Sequence, residues 1–213
     1  MKTLVRAAPL ALAAALGLAG LPATARAQYL GQFGPLNSMG TGQKALGLYL
    51  GAGPTGLGAA AEIRANHSER GTFGVQFAVQ HSIFAGQADI RAGLLSSGGD
   101  FPVMLGGELA GGVVSGGGTT AIYAQAVPGL SWEMDAGGGQ SWAAWAGLGF
   151  RVSASQHKLG HGDTLIRAGG RFSFSRELGL TASLEDVAGS SHLMVGAESR
   201  FGGHGGSNVP GGK

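Results

Sequence analysis

A period of two governs this chain, and it is clearest between Leu57 and Leu95. Leu57, Ala59, Ala61, Ile63 and Ala65 alternate with Gly58, Ala60, Glu62, Arg64 and Asn66. Phe73, Val75, Phe77 and Val79 alternate with Gly74, Gln76, Ala78 and Gln80. Ala88, Ile90, Ala92 and Leu94 alternate with Gln87, Asp89, Arg91 and Gly93. Successive side chains of a strand point to opposite faces, so each segment has one apolar and one polar face. The break at Ser68-Glu69-Arg70-Gly71 supports a hairpin. If Ser68 pairs with Thr72, Glu69 to Gly71 is a three-residue loop with glycine in the left-handed position. Arg64 then faces Gln76, and Glu62 faces Ala78.

The alternation continues to Phe201 and predicts ten strands, at 44–52, 57–67, 72–80, 87–95, 102–114, 119–133, 140–153, 164–175, 178–186 and 191–201. Turn signals separate them: Gly53-Pro54-Thr55-Gly56, Ser97-Gly98-Gly99-Asp100, Gly116-Gly117-Gly118, Asp135 to Gly139 and Gly160-His161-Gly162-Asp163. Pro128 interrupts the sixth strand and predicts a bulge or a strand end there. No segment sustains a helical period. Residues 28–43 read as a loosely ordered leader and 202–213 as a glycine-rich tail.

The distribution of charge decides which face looks outward. The apolar face carries Leu46, Leu48, Leu50, Leu109, Ile122, Trp132, Trp142, Phe150, Ile166, Phe172, Phe174 and Leu180, among others. The opposite face carries the acids Glu62, Asp89, Glu108, Glu133, Glu185 and Glu198. It also carries the bases Arg64, Arg91, Arg151, Arg167, Arg171 and Arg200. It holds no lysine: Lys2, Lys44, Lys158 and Lys213 all lie outside it. A water-facing sheet uses lysine freely. Arginine suits confined ion pairs, because its planar fork meets carboxylates bidentately and is weakly hydrated. The charged face therefore reads as an enclosed lumen, with six acids balancing six bases, and the apolar face as turned to lipid.

The N-terminus agrees. Lys2 and Arg6 precede an apolar stretch from Ala7 to Leu21, and Ala25-Arg26-Ala27 is a small-x-small site, so residues 1–27 read as a secretory signal cleaved before Gln28. With no cysteine, neither a disulfide nor a thiolate metal site is available. A formal charge of +2 is too small for a nucleic-acid partner. Glycine makes up 43 of 213 residues without a Gly-X-Y repeat, which excludes collagen.

These features resemble the small bacterial outer-membrane β-barrels, the opacity-type, OmpA-like and OmpX-like proteins. The likeness covers about Lys44 to Phe201 and is one of architecture. The group's terminal insertion signal places an apolar or aromatic residue three and five positions after a glycine. Gly196 and Phe201 match it, Ser199 departs from it, and a tail follows the phenylalanine. The expected fold is all-β: a single antiparallel up-and-down transmembrane β-barrel of about ten strands, with eight as the alternative. The expected location is the bacterial outer membrane. The expected partners are outer-membrane lipid and the barrel-insertion machinery, with no cofactor.

Other motifs carry less. Gly51-Ala52-Gly53-Pro54-Thr55-Gly56 matches a dinucleotide-binding fingerprint, but at this glycine content about two chance matches are expected. His157 and His161 have a helical zinc spacing but lie in a predicted loop. His67-Ser68 and His81-Ser82 are adjacent on strands or turns, so neither pair forms a nucleophile–base couple by itself. The expected role is structural or interactive at the cell surface, with a paired lumen that is not a diffusion pore. Two alternatives are a lipid-modifying barrel enzyme and a soluble periplasmic β-barrel or sandwich binding an apolar ligand.

Overall fold

The computed structural model describes Met39 and residues 41–68, 71–96, 103–155 and 158–202. The expected signal (1–27), most of the expected leader and the tail beyond Gly202 lie outside the described residues. Ten strands follow in order: β1 (Lys44–Gly53), β2 (Gly56–Ser68), β3 (Gly71–Gln80), β4 (Ile83–Ser96), β5 (Val103–Gly116), β6 (Thr119–Gly137), β7 (Gln140–Ser155), β8 (Lys158–Ser173), β9 (Leu178–Val187) and β10 (Ser190–Phe201). Each pairs antiparallel with its neighbour in sequence, and β1 closes on β10. The result is a closed up-and-down barrel of ten strands, which leaves no open sheet edge. Ten strands is thus the observed number, and the eight-strand alternative falls away.

The burial pattern repeats the sequence alternation strand by strand. In β1, Leu46, Leu48 and Leu50 are exposed while Ala45, Gly47 and Tyr49 are buried. The outer wall includes Leu57, Ile63, Phe77, Ile90, Leu109, Ile122, Leu148 and Ile166, with exposures from 49% to 80%. The inner positions are close-packed and largely polar. A conventional soluble core is therefore inverted here: large apolar side chains face out, and charges face in.

Four expectations need correction. The β2–β3 register is shifted by two residues: Glu62 pairs with Gln76, and Arg64 with Gly74. The cause is a tighter connection, with Ser68 opposite Gly71 and an irregularity between Asn66 and Ser68. A slip of two preserves the faces, so the inward set survives. Three strands are longer than expected. β4 begins at Ile83, β6 reaches Gly137, and β8 begins at Lys158. Gly160 to Asp163 is consequently strand rather than turn, held by the pairs Ser153↔His161 and Arg151↔Asp163. His161 thus lies in β8 rather than in a loop, and His157 lies outside the described residues. Finally, Pro128 neither ends nor bulges β6. The register to β7 is the same on both sides of it, at Ala126↔Phe150 and Gly129↔Gly147, and only Val127 and Pro128 lack partners there.

Five of the described connections are two-residue turns, at 54–55, 81–82, 117–118, 138–139 and 188–189. Gly117 and Gly118 connect β5 to β6 with φ of 60° and 78°. Positive φ at both central residues is what a two-residue hairpin matched to strand twist requires. The turns 54–55, 81–82, 117–118 and 188–189 share one end of the barrel. The other end holds both strand termini, Lys44 and Phe201. There Trp142 packs on Phe172 at 4.4 Å with the rings tilted by 41°, and Phe172 meets Phe174 edge-on at 4.8 Å, forming an outward aromatic cluster.

Candidate functional site: the barrel lumen

The twelve charged residues singled out in the sequence all project to the inner side of the wall. Eleven are buried: Glu62, Arg64, Asp89, Arg91, Glu108, Arg151, Arg167, Arg171, Glu185, Glu198 and Arg200. Glu133 is only half-buried.

Ion pairs join those eleven into one continuous network. Starting from β10, Arg200 meets Glu198 at 2.9 Å. Glu198 also holds Arg64 of β2, and Arg171 of β8 at 3.3 Å. Arg64 meets Glu62 at 3.2 Å, and Glu62 meets Arg91 of β4 at 2.8 Å. Arg91 meets Asp89 at 2.9 Å and Glu108 of β5 at 3.1 Å. Glu108 reaches Arg167 of β8 at 2.8 Å. Arg167 meets Glu185 of β9 at 2.8 Å, and Glu185 meets Arg151 of β7 at 3.2 Å. The Glu108–Arg167 contact joins strands three apart in the barrel, so the network bridges the lumen rather than coating its wall.

Small inner residues make this reach possible. Arg64 and Glu198 meet over β1, whose inner residues include Ala45 and Gly47. The Asp89 carboxylate lies over Gly74 of β3, where a Cβ would fall 2.7 Å from Oδ2. Inner glycines also accept aromatic rings. Tyr49 covers Gly47, Tyr123 covers Gly112, and Trp145 covers Gly169. This packing explains part of the glycine content: an inner glycine is the recess for a ring or a charged head on its own or the next strand.

Amides and phenols complete the network. Gln76 donates to Glu62 at 3.1 Å and to Asp89 at 3.4 Å. Gln125 donates to Glu108 at 3.0 Å while its carbonyl accepts from Arg151 at 2.7 Å. Tyr123 donates to Gln87 at 2.9 Å, and Arg151 lies over the Tyr123 ring at 4.7 Å. Tyr49 donates to Glu62 at 3.3 Å.

Two members sit less securely. Arg171 is buried, yet Nε, Nη1 and Nη2 make no hydrogen bond, and its contact with Glu198 is the longest in the network. Glu133 joins no ion pair among the described residues; its carboxylate accepts from Ser141 at 3.2 Å. The six-against-six balance read from the sequence is therefore not one-to-one pairing. Glu198 serves three arginines, and Glu133 serves none.

The lumen also holds residues that the charge count passed over. Tyr49, Tyr123, Trp145, Leu165 and Val187 are buried on the inner side. Strand parity carries the signal for each: Tyr49 alternates with Leu48 and Leu50, and Trp145 has the opposite parity to Trp142. Val127, Leu165 and Val187 form a small apolar cluster of their own. A second apolar group gathers Tyr49, Ala60, Ala85, Val114 and Tyr123.

The remaining sequence motifs find no shared site. His67 and Ser68 are exposed at the end of β2, and His81-Ser82 forms the β3–β4 turn. Gly51 to Gly56 spans the β1–β2 hairpin, with Pro54 and Thr55 in the turn.

No family model matches the chain, and no curated protein matches it. Solved structures similar to it include β-barrels. The N-terminal barrel domain of Pseudomonas aeruginosa OprF is 12% identical, with 76% of this chain and 100% of that chain covered at a TM-score of 0.37. The KdgM porin is 9% identical, with 74% and 99% covered at 0.39. The β domain of the Bordetella autotransporter BrkA is 12% identical, with 76% and 100% covered at 0.44. At such scores they carry no functional inference to this chain.

Proposed function

We propose that this chain is a bacterial outer-membrane β-barrel whose lumen is closed by paired charges, with a structural role in the membrane. The observation that carries this reading is the inversion of the core. An outer wall of exposed leucine, isoleucine and phenylalanine encloses eleven buried charged residues in one network. In water such a wall would be an aggregation surface, whereas in a bilayer it is the lipid contact. A closed barrel also satisfies its backbone internally, as the hydrocarbon demands.

Closure follows from the network. Small barrels are filled by their own side chains. Here the filling is bridged by Glu108–Arg167 and Arg64–Glu198 across strands that are not neighbours. An ion crossing it would have to break buried pairs and leave bare charges, at a cost of several kcal/mol for each. The short turns opposite the termini favour a structural over an adhesive role, because Pro54-Thr55, His81-Ser82, Gly117-Gly118 and Ala188-Gly189 offer little surface. Outer-membrane lipid and the insertion machinery are the partners this role requires.

The experiment is planar-bilayer recording together with heat-shift electrophoresis of the refolded protein. A heat-modifiable band without large stable channels is expected. Large steady conductance would refute closure, and a protein soluble without detergent would refute the membrane reading.

A further inference from the structure

The inner wall changes character at the end of the barrel that holds the turns 81–82 and 117–118. Two rungs across β4, β5 and β6 carry no charge there. Ala85 pairs with Val114, and Val114 with Ala121. One rung further out, Gly116 pairs with Thr119. Ile83 leans over Gly116, with its Cγ1 2.7 Å from where a Cβ would fall. Three of these six inward positions are alanine or glycine, so the wall withdraws. A cavity of about 180 Å³ remains, walled by Ile83, Val114, Gly116 and Ala121, with Ser82 and Thr119 at its rim. Val114 also belongs to the apolar cluster of Tyr49, Ala60, Ala85 and Tyr123, against which Ile83 packs. Tyr123 marks the boundary with the charges: its hydroxyl donates to Gln87, and Arg151 lies over its ring at 4.7 Å.

We propose that this cavity is a binding site for a single-ring aromatic molecule, entered from the turn end of the lumen. It adds a ligand to the structural role above and does not depend on what surrounds the outer wall. Size sets the ligand. A dry apolar cavity of about 150 Å³ takes benzene, so this one holds one ring and excludes two. Lining sets the chemistry. Aliphatic side chains and glycine offer no counter-charge to an ion and too few partners for a sugar. Ser82 and Thr119 are exposed, and their hydroxyls suit one polar substituent at the edge of the ring. The route is open, because Ser82 lies in a turn and Thr119 begins β6, so no strand need part. Below the cavity the paired charges block the axis, which makes the site a dead end that retains its ligand.

Isoleucine supplies the reporter. The chain has five: Ile63, Ile90, Ile122 and Ile166 are exposed on the outer wall, and Ile83 alone turns inward, at the cavity. The protein is labelled at its isoleucine δ1-methyls, refolded into lipid nanodiscs and titrated with phenol, followed by methyl NMR. The Ile83 signal should shift and saturate. The four outward signals sense only phenol dissolved in lipid, and should drift without saturating. Ala121→Leu puts an isobutyl group into the cavity and should weaken the Ile83 response roughly tenfold or more. Val114→Ala enlarges the cavity and should let 2-naphthol, which the wild type excludes, shift Ile83. Both variants are first checked for the heat-shifted band. An Ile83 methyl that does not move, whether water or the chain's own side chains fill the space, overturns the site. So does a shift that rises in step with the outward four, or one that Ala121→Leu leaves unchanged. If Ala121→Leu fails to refold, Val114→Ala decides, and no response to 2-naphthol overturns the proposal.

Discussion

Removing single carboxylates from the lumen should destabilise the barrel in a graded order set by what each leaves behind. Glu198→Ala deprives Arg64, Arg171 and Arg200 of a shared partner. Arg64 keeps Glu62, but Arg171 retains no other ion pair among the described residues. Breaking a buried pair while leaving the other charge costs about 3–5 kcal/mol, and Glu198 belongs at the upper end. Glu108→Ala frees Arg91 and Arg167 only in part. Arg91 keeps Glu62 and Asp89, and Arg167 keeps Glu185, so about 3 kcal/mol is expected. The control is Glu177→Ala, an exposed residue in the β8–β9 turn, where the change should stay within about 0.5 kcal/mol. The assay is urea titration of the refolded protein in lipid, followed by the heat-shifted band. At a slope of about 2 kcal/mol/M, Glu198→Ala should lower the midpoint by about 2.5 M and Glu108→Ala by about 1.5 M. Equal midpoints for Glu108→Ala and Glu177→Ala would refute the paired network. Equal losses at Glu198 and Glu108 would refute the claim that residual partners set the cost.

The outer wall gives a second test. Ile90→Arg should cost about 2–4 kcal/mol in bilayer folding titrations, whereas Gln76→Arg, placed between Glu62 and Asp89, should be milder; indistinguishable losses would reverse the face assignment. Gly169→Val should drive Trp145 off its recess and cost about 1–3 kcal/mol by overpacking, with a shifted tryptophan emission as the check. An epitope inserted at 156–157 should be reached by antibody on intact cells and one after Lys213 should not, since an even strand number places both termini on the periplasmic side; surface labelling of the C-terminal epitope would invert that topology.

Strand number, strand faces and the inward charges were legible because a period of two fixes parity, and parity survives errors of position. The β2–β3 hairpin shows this. Its register differs from the expected one by two residues, yet Glu62 and Arg64 still face inward. Pairwise partners were less legible. Glu62–Arg64 and Asp89–Arg91 follow from a spacing of two along one strand. Glu108–Arg167 and Arg64–Glu198 depend on how far around the closed wall each strand sits, which no local pattern records. Strand ends were blurred by glycine. Gly160 and Gly162 read as a turn, but both lie in β8, where the ladder to β7 pairs Gly162 with Val152 and His161 with Ser153.

The choice of arginine over lysine draws these levels together. A lysine ammonium gathers its three donors on one nitrogen at the tip of its stem, without the planar spread of a guanidinium. The guanidinium of Arg91 meets Asp89 and Glu108 through Nε and Glu62 through Nη2, so one residue ties β2, β4 and β5. Arg167 joins β5 and β9 to its own β8 in the same way. Such forked contacts need a planar group with donors in fixed directions. They also need a wall thin enough for side chains to pass over intervening strands, and Gly47 and Gly74 supply it. The glycine content and the absence of inward lysine are thus two sides of one constraint. Arginine spans the lumen only where the neighbouring strand withdraws its side chain. Arg91→Lys should therefore lose contacts to at least one of its three acids even though the charge is kept, and it should destabilise the barrel although it is nominally conservative.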